Sequence, residues 1–190
     1  MEDPVKDIPD VIHSLTQTPP SVQHFTIKKY FTSTASFTHP FCRTGSFYIN
    51  DLINSKNAIW GIYRWYKILS PQIEIQVNSV AFDQDALLLY AHISQKVRIW
   101  FIPFYCAHVS LVTVLQLVQD KQTSKYLIKS QDDRYQVNEY IRFFWFGGSF
   151  LVGVWQIFTA LFCSIGAVLT LPQTWVEEHW FPDGWRGIAG

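Results

Sequence analysis

Charged side chains are scarce in this sequence of 190 residues, of which 16% are charged and 48% are hydrophobic. An ordinary soluble domain carries ~25% charged residues, so this chain has more apolar surface than one such domain usually buries. The formal net charge is zero, whereas domains that bind nucleic acid normally present a basic surface. We therefore expect no nucleic-acid partner, and the question becomes where the excess of apolar residues lies.

Cysteine is also sparse, and the common cofactor motifs are missing. Cys42, Cys106 and Cys163 are odd in number and far apart, which fits neither a disulfide framework nor a Cys-x-x-Cys metal site. We interpret them as buried thiols in a reducing compartment. The sequence lacks the glycine-rich nucleotide motifs, His-Glu-x-x-His and Gly-x-Ser-x-Gly, and SQDDRY lacks the spacing of a calcium loop. No metal and no cofactor is therefore predicted.

The longest uncharged stretch runs from Phe143 to Val176 without Asp, Glu, Lys or Arg. A membrane-spanning helix needs ~20 mainly apolar residues to cross a ~30 Å hydrocarbon core. A transmembrane helix is therefore the favoured interpretation; a helix lying in the membrane interface and a dimerisation or core element are the alternatives. The residues predicted to form the membrane anchor are Phe146, Leu151, Trp155, Phe158, Leu161, Phe162 and Leu169.

The flanking sequence predicts how this segment is oriented. Basic residues precede it and acidic residues follow it, so the positive-inside rule puts the preceding part of the chain in the cytosol. The start of the chain, MEDPVKDIPD, agrees because it lacks the basic and apolar regions of a secretory signal. Tryptophans expected in an aromatic belt stand on both sides, at Trp145, Trp175, Trp180 and Trp185. We divide the chain into a head (1–142), an anchor (143–175) and a short aromatic, acidic tail (176–190).

The head combines helical and strand patterns. Ile8 to Thr18, behind Pro9, predicts one helix, SVQHFTIKKYFTSTASF predicts a second, and the i, i+3, i+4, i+7 apolar spacing between Asn57 and Leu69 predicts a third. The period then changes to two and predicts long strands in PQIEIQVNSVAF, LLLYAHISQKVRIWF, YCAHVSLVTVLQLVQD and KYLIKSQDDRYQVNEYIRFF, the last interrupted at SQDD. Helices followed by antiparallel strands indicate an α+β fold. We predict a cone-shaped half-barrel, a strongly bent antiparallel sheet wrapped on N-terminal helices, followed by the C-terminal hydrophobic helix.

Several strings within this pattern resemble a known superfamily. FTHPFCRTGSF, RWYKILSP, VRIWFIPFYCAHVSL and SQDDRYQVNEYIRFFWFGG resemble the fungal SigF-like branch of the nuclear-transport-factor-2-like superfamily, over Ile8 to Trp145. The resemblance implies a cone fold that hosts isomerases, dehydratases, transport receptors and non-catalytic ligand binders, so the fold does not choose among these functions. It also implies membrane association, with lipid binding as a candidate activity.

An aromatic run and nearby basic residues form the candidate lipid-binding site. WFIPFYC, which begins at Trp100, is predicted to be a bent, buried strand, because proline is tolerated at bulges and edges; the alternative is an aromatic loop that dips into lipid. Lys96 and Arg98 share one polar strand face, while Arg64 and Lys67 lie one turn apart on a helix. Near an anionic membrane each adds up to ~1 kcal/mol; otherwise they are solvated surface. The predicted site comprises Arg64, Lys67, Lys96, Arg98, Trp100, Phe101, Phe104 and Tyr105.

Catalysis would require a positioned acid or base with a shifted pKa. No spacing in the sequence identifies a proton-transfer pair, and no catalytic residue is assigned. The position of His92 on the polar face of its strand favours a surface role. The candidates are His39, His92 and His108, with Tyr63, Tyr90 and Asp120 as potential partners.

The favoured hypothesis is a membrane-anchored, non-catalytic module that takes a lipid or another apolar molecule in or beside a cone-shaped pocket. An anionic phospholipid is one candidate ligand, and membrane lipid is the expected partner. The alternatives are an isomerase or dehydratase acting on a membrane-soluble substrate, and a scaffold that forms a homodimer. The expected location is a membrane, with single-pass or interfacial attachment and a cytosolic head.

Overall fold

The computed structural model describes residues 1–102, 104–121, 123–137, 141, 147–172 and 175. It confirms the α+β class, with helices packed on a bent six-stranded sheet and an apolar helix after it. The elements in chain order are α1 (Pro4–Thr16), α2 (Pro20–Tyr30), β1 (Phe31–His39), β2 (Cys42–Arg43), α3 (Ser55–Leu69), β3 (Glu74–Asp83), β4 (Leu88–Val97), β5 (Ala107–Gln119), β6 (Tyr126–Tyr135) and α4 (Gly148–Leu169).

Helix α1 begins earlier than the apolar pattern indicates. The Asp3 side chain caps it by accepting hydrogen bonds from the backbone N–H groups of Val5 and Lys6, which satisfies two donors that have no partner within the helix. Pro9, predicted to precede the helix, lies inside it. The apolar face of α1 is nevertheless the predicted one, and it is buried against the sheet.

Strand β1 corrects the prediction of a second helix that reaches Phe37. The helix ends at Tyr30, because Phe31 adopts extended backbone (φ −104°, ψ 144°). The segment FTSTASFTH then pairs in parallel with β6 and buries Phe31, Ala35 and Phe37. Thr and aromatic residues favour a pleated, half-buried surface. The hydrogen bonds that decide the matter come from β6, almost a hundred residues later, so the local apolar spacing does not reveal them.

Helix α3 follows the predicted pattern, starting at Ser55 where the side chain of Asn54 accepts a hydrogen bond from Asn57 N at 2.9 Å. Ile59 is fully buried, and the remaining apolar positions of the same face pack around the core. Helix α3 contacts β1 and α1 contacts β3. The two helices therefore cover the concave face of the sheet and enclose the core of the head.

The strands are hydrogen-bonded in the order β2-β1-β6-β5-β4-β3, with every neighbouring pair antiparallel except β1 and β6. The inward side of β4 carries the predicted Leu89, Ala91 and Ile93. Strand β4 stops at Val97, so the residues predicted to extend it to Phe101 lie outside the sheet. Strand β6 runs through SQDD without the predicted interruption; its pairing with β5 shifts register just before this string, between Ile128 and Ser130, as at a β-bulge.

One end of the head is important for the argument and is called the loop end. It carries the β4–β5 loop, residues 98–106, and the last turn of α3, because the backbone N–H of Trp100 donates to the carbonyl of Leu69 at 3.2 Å. Strand β6 also runs toward this end, since it is antiparallel to β5 and Tyr135 pairs with Leu111. The hairpins joining β3 to β4 and β5 to β6 lie at the opposite end.

Helix α4 is long and apolar enough to cross a membrane, with 22 residues and a mean hydropathy of 1.9 over its most apolar window. At 1.5 Å per residue it is ~33 Å long, close to the ~30 Å hydrocarbon thickness. The predicted anchor residues other than Phe146 lie on it and are exposed, whereas Phe146 lies outside the described residues. Cys163 is exposed too, and Cys42 and Cys106 are half-buried, so the interpretation of all three as buried thiols is wrong.

Candidate functional site

A cavity of about 90 Å³ lies inside the head, between α1 and α3 on one side and the inner face of the sheet on the other. Small-molecule sites usually measure ~300–1,000 Å³. The cavity therefore has room for a few water molecules, but in this conformation it cannot hold a sterol or a phospholipid. Polar side chains that line it include His39, Tyr63, Tyr66, Lys67, Gln95, Thr113, Gln131, Asp133 and Tyr135.

Asp133 is the acidic side chain of this cavity. Its Oδ1 accepts hydrogen bonds from Thr113 Oγ1 at 2.8 Å and from Gln131 Nε2 at 3.0 Å. Burial raises the pKa of the Asp133 carboxyl to about 6, although both hydrogen bonds act to lower it. An acid with this pKa can gain or lose a proton near neutral pH, which is a requirement for general acid or base chemistry.

His39 is the centre of a hydrogen-bond network between the cavity and the loop end. Its Nδ1 accepts from the backbone N–H of Phe41 at 3.3 Å and lies 3.2 Å from the Tyr66 hydroxyl. Its Nε2 lies 3.2 Å from the Tyr135 hydroxyl. Because Nδ1 accepts, Nε2 carries the proton and donates to Tyr135. Burial lowers the pKa of His39 to about 4, so the ring is neutral at pH 7 and positions the two tyrosines.

Two further hydrogen bonds complete the polar part of the cavity. The Tyr63 hydroxyl donates to Gln131 Oε1 at 2.9 Å, which links it through that side chain to Asp133. Gln95 Nε2 donates to the Tyr135 hydroxyl at 2.7 Å. Burial raises the pKa of both tyrosines, so their hydroxyls are neutral. The cavity is thus lined by two hydrogen-bonded groups, one around Asp133 and the other around His39 and Tyr135.

An apolar groove of about 380 Å³ lies at the loop end beside the cavity. His39 and Tyr66 line both spaces, so the groove and the cavity share a wall. The volume is within the range of small-molecule sites. The apolar side chains of the groove come from the β1–β2 turn, the end of α3, the start of β3 and the β4–β5 loop, and include Phe41, Trp65, Leu69, Ile73, Val97, Ile99 and Tyr105.

Apart from Pro103, which lies outside the described residues, the aromatic run WFIPFYC forms no strand and is mostly exposed, so the prediction of a bent, buried strand is wrong. The exposed fractions of Trp100, Phe101 and Phe104 are 67%, 55% and 101%. Phe104 has a φ of +64°, a left-handed conformation that is uncommon for a bulky residue. The backbone hydrogen bond from the N–H of Trp100 to the carbonyl of Leu69 holds the chain against α3 and away from the sheet. This long-range contact is the reason why the apolar run does not continue β4.

The basic residues of the predicted lipid site occupy different places. Lys96 Nζ and Arg98 Nη2 approach the same Oε1 atom of Glu74, at 3.6 and 3.7 Å. Lys67 lines the interior cavity, where burial lowers its pKa. Arg64 is half-buried one turn earlier on α3. The structure thus brings Lys96 and Arg98 together on Glu74 and directs Lys67 toward the cavity.

Among the six residues considered for catalysis, only His39 and Tyr63 line the cavity. His92 is exposed, with Nε2 2.8 Å from Ser110 Oγ, and His108 is exposed on β5. Tyr90 is 39% exposed. Asp120 lies in the turn after β5. The tertiary structure therefore brings His39 and Tyr63 to one cavity and places the other four residues elsewhere.

The acid at position 133 was available from the sequence pattern but was missed. Along SQDDRY, Gln131, Asp133 and Tyr135 line the cavity, and the alternating Asp132 and Arg134 form an outer ion pair of 2.8 Å. A strand of period two through this string would have predicted that division. The predicted interruption at SQDD concealed it.

Comparison with protein families identifies the type of domain that carries this site. A family model described as the SigF NTF2-like domain matches residues 1–172. The chain belongs to this family. The match extends through α4, so the SigF NTF2-like match covers the apolar helix as well as the head. No curated protein matches the chain, and a fungal origin stays a prediction.

Solved structures with the NTF2-like fold resemble this SigF NTF2-like chain at low identity. A putative scytalone dehydratase from Novosphingobium aromaticivorans is 9% identical, with a TM-score of 0.53 over 70% of this chain and 80% of that one. A putative SnoaL-like polyketide cyclase from a Jannaschia species is 9% identical (TM-score 0.51; 73% and 92% covered). An M. tuberculosis LEH-like epoxide hydrolase is 11% identical (TM-score 0.50; 83% and 99% covered). Likeness at this level shows the fold alone.

Proposed function

We propose that this protein is a membrane-anchored, non-catalytic module that binds a lipid or another apolar molecule in the groove at the loop end of a cytosolic head. The groove carries the proposal: it measures about 380 Å³, is mainly apolar and is bordered by exposed aromatic residues. It occurs in a chain whose α4 is long and apolar enough to span a bilayer. The ligand lies beside the interior cavity, since about 90 Å³ is too small for it.

The hydrogen bonding around the groove suits an apolar guest. Its polar wall residues His39 and Tyr66 are within hydrogen-bond distance of each other, and the hydroxyl of Ser70 accepts from the backbone N–H of Arg98 at 3.2 Å. An apolar group that enters therefore does not strip these side chains of every partner, which would otherwise be costly. Burial of the guest is favourable by ~25 cal/mol per Å² of apolar surface.

An anionic phospholipid is one candidate ligand, and its headgroup would need a basic side chain beside the groove. The Arg98 side chain, which is 43% exposed, begins the β4–β5 loop beside the groove. Its charge and that of Lys96 are partly offset by Glu74. We therefore expect a preference for an anionic over a zwitterionic headgroup of about 1 kcal/mol, as for one basic residue near an anionic surface.

The proposal predicts that lipid acyl chains reach the groove. The full chain is placed in lipid nanodiscs that contain a phospholipid with a diazirine near the end of one acyl chain, and crosslinked residues are mapped by mass spectrometry after irradiation. Crosslinks are expected at groove residues, while those to α4 provide an internal reference. Ile99→Trp fills the groove and is expected to lower the ratio of groove to α4 crosslinks at least tenfold, a change of ~1.4 kcal/mol in occupancy.

Val112→Trp is the matched control, because Val112 is 38% exposed on β5 and does not line the groove. It adds a similar volume and is expected to leave the crosslink ratio unchanged. Crosslinks to α4 without any at the groove would rule out lipid binding there. An equal ratio in the Ile99 and Val112 variants would do the same, since it would mean that the labelled residues contact bulk lipid rather than a bound chain.

A second candidate function, an isomerase or dehydratase, rests on Asp133. Its pKa of about 6 in an apolar cavity suits proton abstraction next to a carbonyl, but the present cavity volume is too small for a sterol-sized substrate. The full chain incubated with membrane-soluble ketones in D₂O should then catalyse deuterium exchange at the carbon next to the carbonyl, and Asp133→Asn should abolish it. No exchange above the rate of that variant, for any ketone of the panel, would remove this candidate.

The homodimeric scaffold stays a prediction, which light scattering of the solubilised chain tests.

A further inference from the structure

The loop end of the head presents a ring of large apolar side chains to solvent, here called the apolar rim. It draws on three separate parts of the chain, the β1–β2 turn, the last turns of α3 and the β4–β5 loop, with exposed fractions from 43% to 101%. Two of its residues, Phe41 and Trp65, also line the groove, so the rim borders the groove mouth. The rim comprises Phe41, Trp65, Ile68, Trp100, Phe101 and Phe104.

Strand β6 runs toward the end of the head that carries the rim. Tyr135, the last residue of β6, pairs with Leu111, four residues inside the start of β5 at Ala107. The β4–β5 loop therefore begins ~13 Å beyond Tyr135 in the direction in which β6 is running. Twelve residues separate Tyr135 from Gly148, the first residue of α4. That many residues span at most ~45 Å, so the bilayer that α4 would cross is within reach of this end.

The charges at the rim are compatible with a membrane surface. Within residues 98–106 the only charged side chain is that of Arg98, and Lys96 lies two residues before it. Aromatic side chains flanked by basic residues are typical of segments that rest in the headgroup region of a bilayer. A large exposed apolar patch usually marks an interaction site. A bilayer is the partner that fits this patch, because the same chain carries a helix long and apolar enough to cross one.

We infer that the apolar rim is a second membrane contact, which inserts into the interfacial layer of the bilayer that α4 crosses and opens the groove toward lipid. The inference rests on the proposed membrane attachment through α4, but it does not require a ligand in the groove. It also assigns an orientation: the loop end faces the bilayer, and the hairpins at the opposite end face away from it.

Leu52 provides a matched control, since it is another large apolar residue and is 84% exposed. It stands three residues before α3, whereas the rim adjoins Leu69 at the other end of that helix. The two ends of α3 are ~21 Å apart at 1.5 Å per residue. If the rim inserts, a probe at position 52 stays in water while a probe at position 104 does not.

The test uses the full chain reconstituted in vesicles of phosphatidylcholine with phosphatidylserine. An environment-sensitive NBD fluorophore is attached to one cysteine at a time, introduced as Phe104→Cys, Leu52→Cys or Leu161→Cys in a background of Cys42→Ser, Cys106→Ser and Cys163→Ser. Quenching by aqueous iodide and by spin-labelled lipid is then compared. We expect positions 104 and 161 to show at least fivefold weaker iodide quenching than position 52, with position 104 quenched best by a shallow spin label.

The outcomes separate failure of this inference from failure of the proposed function. If position 161 is as accessible to iodide as position 52, α4 is not in the bilayer and the membrane part of the proposed function fails. If position 161 is protected and position 104 is not, only the rim contact is overturned. Protection of position 52 together with 104 would also overturn it, because the assigned orientation would be wrong. Trp100→Cys serves as a second rim position should Phe104→Cys fail to label.

Discussion

Replacing Phe158 and Leu161 with arginine is expected to release the protein from the bilayer. Both residues lie near the middle of α4, and their exposed fractions are 62% and 59%. An arginine at the centre of a membrane helix costs ~2.5–3.5 kcal/mol for insertion, so two of them cost about 6 kcal/mol. We expect this cost to exceed the free energy that favours insertion of the otherwise uncharged helix. The measurement is the fraction of full-length protein that stays with membranes after extraction at alkaline pH.

Leu169→Arg is the control for this prediction. Leu169 is the last residue of α4, where a long basic side chain can extend to the interface at small cost, so this variant should remain in the pellet. The head should stay folded in both variants, because the buried apolar core runs from Met1 to Ile128 and takes nothing from α4. A double variant that resists extraction as well as the wild type does would contradict the proposed role of α4.

Asp133→Asn is expected to stabilise the head at pH 7 and to change how its stability depends on pH. Burial raises the pKa of Asp133 from 3.8 to about 6. The contribution that the protonated carboxyl makes to the stability of the folded head is therefore fully present below pH 4 and is lost as the pH rises through 6. A shift of two pKa units corresponds to about 3 kcal/mol in the free energy of unfolding. Asparagine restores this stability at pH 7, because its side chain stays neutral. For a protein of this size we expect the melting temperature to rise by ~6–12 °C.

His39 has the opposite pH dependence and therefore masks that of Asp133 in the wild type. Burial lowers the pKa of His39 from 6.5 to about 4, so its contribution is present above pH 6.5 and is lost as the pH falls through 4. The two effects oppose each other between pH 4 and 6. We expect a nearly flat stability profile for the wild type in this range, and a stability that rises with pH for Asp133→Asn.

The measurement is thermal unfolding of the solubilised full chain, followed by tryptophan fluorescence between pH 4 and 7.5. Asp132→Asn is the matched control, since Asp132 neighbours Asp133 in sequence but pairs with Arg134 at 2.8 Å outside the cavity; it should change stability by less than ~1 kcal/mol. Adding His39→Gln to Asp133→Asn should flatten the profile again. A profile for Asp133→Asn that matches the wild type would show that the carboxyl is not the buried acid described above.

Period and spacing predicted the elements whose stability comes from one buried face. Helix α3 and strand β5 each present a regular apolar side to the core, as does β3 on either side of a register shift at Asn78, and this pattern can be recognised in the local sequence. Strand β1 was predicted as helix because its partner, β6, is distant in sequence. Asp133 was missed for a different reason: the period of two that places it on the inner face of β6 runs through SQDD, where the strand was predicted to be interrupted.

An α+β head and one uncharged segment long enough to span a bilayer could both be predicted before the structure, because they follow from composition and from contacts close along the chain. The conformation of the aromatic run WFIPFYC, in contrast, depends on contacts between distant parts of the fold. A run of apolar residues is equally compatible with a buried strand and an exposed loop, and the choice depends on whether neighbouring elements leave room in the core. Here the backbone of Trp100 is held against the end of α3, and the rings of Phe101 and Phe104 remain exposed.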